Sequence, residues 1–112
     1  MAKMEDLVSQ AETVFVSPVS VFEIGQKVRL GKWPQMEPFL VDIADTLIER
    51  GGQFAPLTPS VCLAASQLQW DHRDPFDRFL AATAIETGVP LVSADGQFDQ
   101  LAGQKGWVSR IW

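Results

Sequence analysis

Cysteine is almost absent from this sequence. Of 112 residues only Cys62 carries a thiol, so no disulfide can form within the chain. A metal site built on thiolates is excluded as well, and the usage fits a reducing compartment. Cys62 lies in the apolar run SVCLAASQL and reads as a small core residue. Histidine is equally scarce: His72 stands alone, so no histidine set can hold a metal. A lone histidine before a capping aspartate reads as structural or exposed rather than as a general base. No run of about 18 apolar residues occurs, which excludes a membrane-spanning helix. The opening MAKMEDLVSQ carries acids and no apolar stretch, so it does not read as a secretory signal. These absences point to a soluble, cytoplasmic protein.

Positive charge is also short. Nine Lys and Arg face 14 Asp and Glu, a net charge of −5. This argues against a protein that grips nucleic acid by bulk electrostatics. An enzyme acting on nucleic acid is not excluded, because bound divalent cations invert the local field. An acidic surface also suits a basic protein partner.

The length fits one domain spanning 1–112, and 46% hydrophobic residues suffice for a core without staples. There is no internal repeat and no low-complexity segment. Residues 4–12 read as a short helix and TVFVS (13–17) as a strand. Ser17-Pro18 starts a helix that ends near Gly31, with Ser17 as cap and Pro18 in the first turn. Gly25 inside it marks close packing or a weak point. QMEPFLVDIADTLIERGG predicts a second helix, with Phe39, Leu40, Ile43, Leu47 and Ile48 at helical spacing. FAPLTP predicts a short strand, and Thr58 caps a helix running to about Gln69. HRDPFDRFLAATAIETG follows as a helix with Asp74 as cap, Pro75 at its first position and Asp77 in its first turn, ended by Gly88. VPLVSAD predicts a buried strand, QFDQLA a short helix and GWVSRIW a closing strand. Alternating strands and helices predict an α/β fold with a mostly parallel sheet.

Three acids stand at equivalent places in that alternation. Glu23 lies in the first turns of the helix after the first strand. Asp77 opens the HRDPFDR helix. Asp95 sits at the C-terminal end of the strand LVSAD. In a parallel α/β sheet, strand C-ends and the following helix N-ends share one edge, where ligands bind. Convergent carboxylates repel unless a cation compensates them. Oxygen ligands without thiolates suit Mg2+ or Mn2+, and such a centre points to phosphodiester hydrolysis.

VFVSPVSVFEIGQKVRLGKW, HRDPFDRFLAATAIETGVPLVSAD and the terminal RIW, taken together and in order, resemble PIN domains of the VapC toxin type from bacterial type II toxin–antitoxin pairs. The resemblance implies a three-layer PIN-like α/β domain and a metal-dependent endoribonuclease that cuts RNA when its antitoxin is absent. It implies that Glu23, Asp77 and Asp95 hold Mg2+ or Mn2+. Ser93 matches the hydroxyl residue before Asp95, and Asp74 is an accessory that orients Asp77 without touching metal. Lys27 and Arg29, in a basic cluster with Lys32, and Arg78 are candidates for RNA contact, with dipole-favoured helix-end charges and an intramolecular ion pair as their ordinary roles. A homodimer is expected. The alternative is a catalytically impaired module that binds antitoxin or dimerises.

The chain departs from the family pattern at its start. The family's opening strand, which carries a fourth acid and lies mid-sheet, has no counterpart. Asp6, in the polar MEDLV, does not replace it. The remaining strands then close up, or a second copy supplies contacts, or the natural chain starts further upstream; the last is the favoured reading. Trp33, Trp70, Trp107 and Trp112 lack the interleaved basic residues of a base-stacking platform and read as core and interface anchors.

Overall fold

The computed structural model describes residues 13–111. The helix expected over residues 4–12, Asp6 and Trp112 lie outside the described residues. Strand β1 covers Val14–Val16 and helix α1 Pro18–Arg29. The Ser17 hydroxyl accepts from the Val19 amide, 3.2 Å, and Pro18 opens the helix without an amide to satisfy. Past Arg29, Gly31 takes a left-handed φ of 73°. A Cβ at Gly25 would meet nothing within 4 Å, so that glycine does not mark close packing.

The predicted second helix is split. Pro34–Asp42 forms a 3-10 segment and only Ile43–Glu49 is α-helical, forming α2. Pro38 lies inside the 3-10 segment, where its missing amide and its ring prevent continuous α-helix. The expected apolar stripe is shallow: Leu40, Ile43 and Leu47 are half-buried, while Phe39 and Ile48 are exposed.

Strand β2 (Gly52–Phe54) pairs in parallel with β1, Val16 opposite Phe54. It starts earlier than the FAPLTP reading placed it. Thr58 caps α3 (Pro59–Gln67) through its hydroxyl to the Val61 amide, 3.2 Å. Helix α4 (Pro75–Thr87) ends at Gly88, whose φ of 74° is open to glycine at no steric cost. Strand β3 (Leu91–Val92) pairs in parallel with β4 (Arg110–Ile111), and between them a second 3-10 segment runs over Gly96–Leu101. Every strand pairing is parallel and helices connect the strands, which makes this an α/β fold.

Two apolar clusters hold these elements. Trp70, Ala81, Phe98 and Leu101 form one, with Leu68, Leu80, Leu91 and Trp107 against it. Val61, Ala65 and Ala82 form the other, with Ala64 and Phe79. Ala81 and Ala82 are fully buried, and their small side chains let α4 approach both neighbours closely. Trp70 and Trp107 are thus the anchors expected of them, whereas Trp33 is exposed. Cys62 is half-buried rather than central.

The strands do not close into one sheet. They form two separate pairs, β1–β2 and β3–β4. Between β1 and β3 lies a cleft of about 490 Å3, with one side of α4 (Leu80, Thr83, Ala84 and Thr87) contributing to its wall. Strand β3 is half-buried to exposed instead of buried as VPLVSAD suggested, because the cleft runs along it.

Candidate metal centre

The start of α4 gathers the most ligand-capable side chains among the described residues. Asp74 is the cap, its Oδ1 accepting the Phe76 amide at 2.9 Å. Asp77 lies one turn in, where the helix dipole favours negative charge. His72 precedes the helix and places Nε2 2.6 Å from Asp77 Oδ2. One donor atom from each of His72, Asp74 and Asp77 lies within 4.8 Å of the other two.

His72 is held from two sides. Its ring packs on Trp70, centroids 4.8 Å apart, and Trp70 is pinned in the core by a 2.9 Å bond from its indole N–H to Gln100 Oε1. Its backbone carbonyl accepts from Arg78 Nη1 at 3.0 Å. Arg78 also donates to the carbonyls of Ala65 (2.9 Å), Leu68 (2.8 Å) and Trp70 (2.8 Å), with a longer contact to Ser66. Ala65 and Ser66 belong to the last turn of α3, whose carbonyls lack intrahelical partners. A planar guanidinium with five donors suits such a fan of acceptors. Among the described residues Arg78 forms no ion pair, and its donors reach backbone carbonyls within the fold.

Glu23 reaches this corner from α1. Phe22 beside it packs on Phe76, centroids 5.5 Å apart, so the flank of α1 meets the first turn of α4. Burial pushes the Glu23 carboxyl above its ordinary pKa. Lys27, one turn on, pulls it back, and the charges of Asp77 and Asp74 push it up again. Glu23 thus feels both aspartates, although it is not one of the three tightly grouped donors. Glu23 and Lys27 also line a small depression of about 130 Å3 with Lys32 and Phe76. Lys27, Arg29 and Lys32 are exposed around the end of α1.

Asp95 follows β3. It caps the second 3-10 segment through Oδ1 to the Gln97 amide, 2.9 Å. Ser93 accepts the Asp95 amide on its hydroxyl at 3.1 Å, and its carbonyl accepts from Arg110 Nη1 at 2.9 Å. Arg110 grips Asp99 with Nε to Oδ1 and Nη2 to Oδ2, both 3.0 Å. This bonding draws Asp99 below the ordinary carboxylate range and raises Arg110. Asp95 and Ser93 thus form a turn of their own, and Asp95 is not among the grouped donors around Asp77.

Two of these roles are not apparent along the sequence. His72 reads there as structural or exposed, and its place five residues before Asp77 is the one signal of their contact. The role of Arg78 had no signal, since its acceptors depend on how α3 and α4 pack.

The family model of the PIN domain matches residues 2–104. No curated protein and no solved structure matches the chain. PIN domains are in general nucleases acting on RNA, and they typically bind divalent metal ions. The match runs from before β1 past the second 3-10 segment and takes in Glu23, Asp77 and Asp95; this chain belongs to the PIN domain family.

Proposed function

We propose that this chain is a toxin-type endoribonuclease of the VapC kind, hydrolysing RNA phosphodiesters with Mg2+ or Mn2+ and neutralised by a cognate antitoxin. The observation that carries the proposal is the grouping at the start of α4: Asp74, Asp77 and His72 offer donors within 4.8 Å, and the Glu23 carboxyl, raised first by burial, is raised further by the same two aspartates. Such a corner is short of positive charge, and a hard divalent cation supplies it.

In this reading Asp77 and Glu23 would hold the ion, and Asp95 would complete the set from the end of β3. Asp74 keeps its capping bond and fixes the start of the helix that carries Asp77. His72 would orient the Asp77 carboxylate through its 2.6 Å contact, as partners of ligating carboxylates commonly do. A divalent ion supplies an activated water and steadies the phosphoryl oxygen. Lys27 and Arg29, exposed beside the Glu23 corner, meet RNA phosphates. The acidic chain faces a basic antitoxin and works as a homodimer in the cytoplasm, and no helix among the described residues is long and apolar enough to cross a membrane.

One observation favours a second reading. Asp95 caps its own 3-10 segment and stands apart from the grouped donors, which suits a catalytically impaired module that binds antitoxin or dimerises. Calorimetric Mn2+ titration and RNA cleavage, each with Asp77→Asn as control, separate the two. The nuclease reading expects Mn2+ binding, and cleavage reduced by about 10²-fold or more in Asp77→Asn with the fold intact. Cleavage unchanged in that variant removes Asp77 from the mechanism. Binding of a basic antitoxin without cleavage under any divalent ion establishes the impaired module.

A further inference from the structure

The small depression beside the Glu23 corner combines three kinds of surface. Glu23, Gln26, Lys27 and Leu30 recur along one face of α1, three and four residues apart. Phe76 joins them from the first turn of α4, and Lys32 from the turn after α1. Phe76 is half-buried and braced by Phe22, ring centroids 5.5 Å apart, so its ring is held before anything binds. Gln26 is half-buried, and its carboxamide offers both donors and an acceptor. Lys27 and Lys32 are exposed. The volume of about 130 Å3 equals that of roughly four waters, which suits one planar ring and not a folded ligand. Two residues tie the depression to the candidate metal centre: Glu23 belongs to it, and Phe76 directly precedes Asp77.

The lining narrows the occupant. A free phosphate would meet the two lysines and leave the Phe76 ring and Leu30 uncovered. A purely apolar ligand would cover those two and leave the Gln26 amide buried and unpaired. A basic peptide would face Lys27 and Lys32 at like charge. A nucleotide meets all three demands, with a π-face for the ring, a hydrogen-bonding edge for the amide and an adjoining phosphate for the lysines. A chain of net charge −5 has little long-range attraction for RNA, so local contacts of this kind must supply the grip. We propose that this depression takes one unpaired nucleobase of the RNA, stacked on Phe76 beside Leu30, with its edge bonded by Gln26 and its phosphate met by Lys27 and Lys32. A base seated there leads its backbone past Glu23 toward Asp77. The RNA comes from the nuclease reading, but base binding needs neither metal nor cleavage, so the two fail separately.

The test uses the full chain and a fluorescein-labelled hexaribonucleotide in EDTA, where nothing is cut, with affinity read by anisotropy. A series of the same oligonucleotide lacks one base at a time. One abasic position should weaken binding by about tenfold. Phe76→Leu keeps an apolar neighbour for Phe22 without the ring. It should lose about as much on the intact oligonucleotide and nothing further on that abasic one. Gln26→Ala should behave alike with a loss of several-fold, and it carries the test if Phe76→Leu does not fold by circular dichroism. Lys32→Gln should weaken both oligonucleotides equally and lower the salt slope by about one. Equal affinity across the abasic series would overturn the inference and leave the lysines as a non-specific phosphate contact. Losses in Phe76→Leu and Gln26→Ala that are the same with and without the base would also overturn it, giving both residues a purely structural role. No binding of the intact oligonucleotide would do so as well.

Discussion

His72 Nε2 lies 2.6 Å from Asp77 Oδ2, a contact that ties the only histidine of the chain to the carboxylate at the head of α4. The imidazole is fixed by Trp70 and by the carbonyl bond to Arg78, so Asp77 meets a partner that is already oriented. A ligand carboxylate fixed in this way loses less freedom when a cation binds. His72→Ala is expected to lower Mn2+ affinity by about 10-fold, within the usual 10–100-fold range for such partners. Calorimetry on the folded variant measures it. An unchanged affinity would show that the contact serves the loop and not the metal.

Arg78 is predicted to matter for stability and not for RNA. Its guanidinium collects carbonyls from the end of α3 and from the loop up to His72. Arg78→Met leaves several of these acceptors without a donor. Bonds to charged groups contribute about 1.5–3 kcal/mol each and are not additive, so a loss of about 3 kcal/mol is expected. For a domain of this size that lowers Tm by roughly 10–20 °C. Arg78→Lys keeps the charge without the planar fork and should recover only part. A variant that melts like the wild type but binds RNA poorly would return Arg78 to the phosphate-contact group.

Two carboxyl groups should give opposite pH responses. Burial raises the folded-state pKa of Glu23, so the fold prefers its protonated form. The stability this contributes is present below the ordinary carboxylate pKa and is lost as pH rises through the raised value. Without metal, Glu23→Gln should therefore gain on the wild type across that rise and match it on the acid side. Asp99 is shifted down by the Arg110 bonds. Its contribution is present above its ordinary pKa and lost as pH falls through the depressed value, so the deficit of Asp99→Asn should shrink in acid. Asp99 is well exposed, and the effect should fade with salt. Urea melts from about pH 3 to about pH 7 read both; a parallel response of the two variants would contradict the assignment.

Much of the local structure was legible along the chain, because caps and turns are set by neighbours. Ser17, Thr58 and Asp74 before a proline each start a helix where the sequence places them, and Gly88 ends one. Apolar spacing predicts one long helix through Pro38, but the missing amide and the ring of that proline give a 3-10 segment instead. The places of Glu23, Asp77 and Asp95 at strand and helix ends are legible in the sequence, whereas the grouping of His72, Asp74 and Asp77 is not.

The sequence by itself determined the order of elements, the parallel α/β class and which acids sit at the ends of strands and helices, since hydrophobic period, capping and turn chemistry act over a few residues. Only the tertiary structure decided that His72 joins Asp77, that Arg78 turns inward to carbonyls up to 13 positions away, and that two strand pairs stand apart across a cleft. Those outcomes depend on how closely α4 packs against α3 and α1 and on which strand edges find partners. Such distances are fixed by side chains remote in sequence, and no local pattern encodes them.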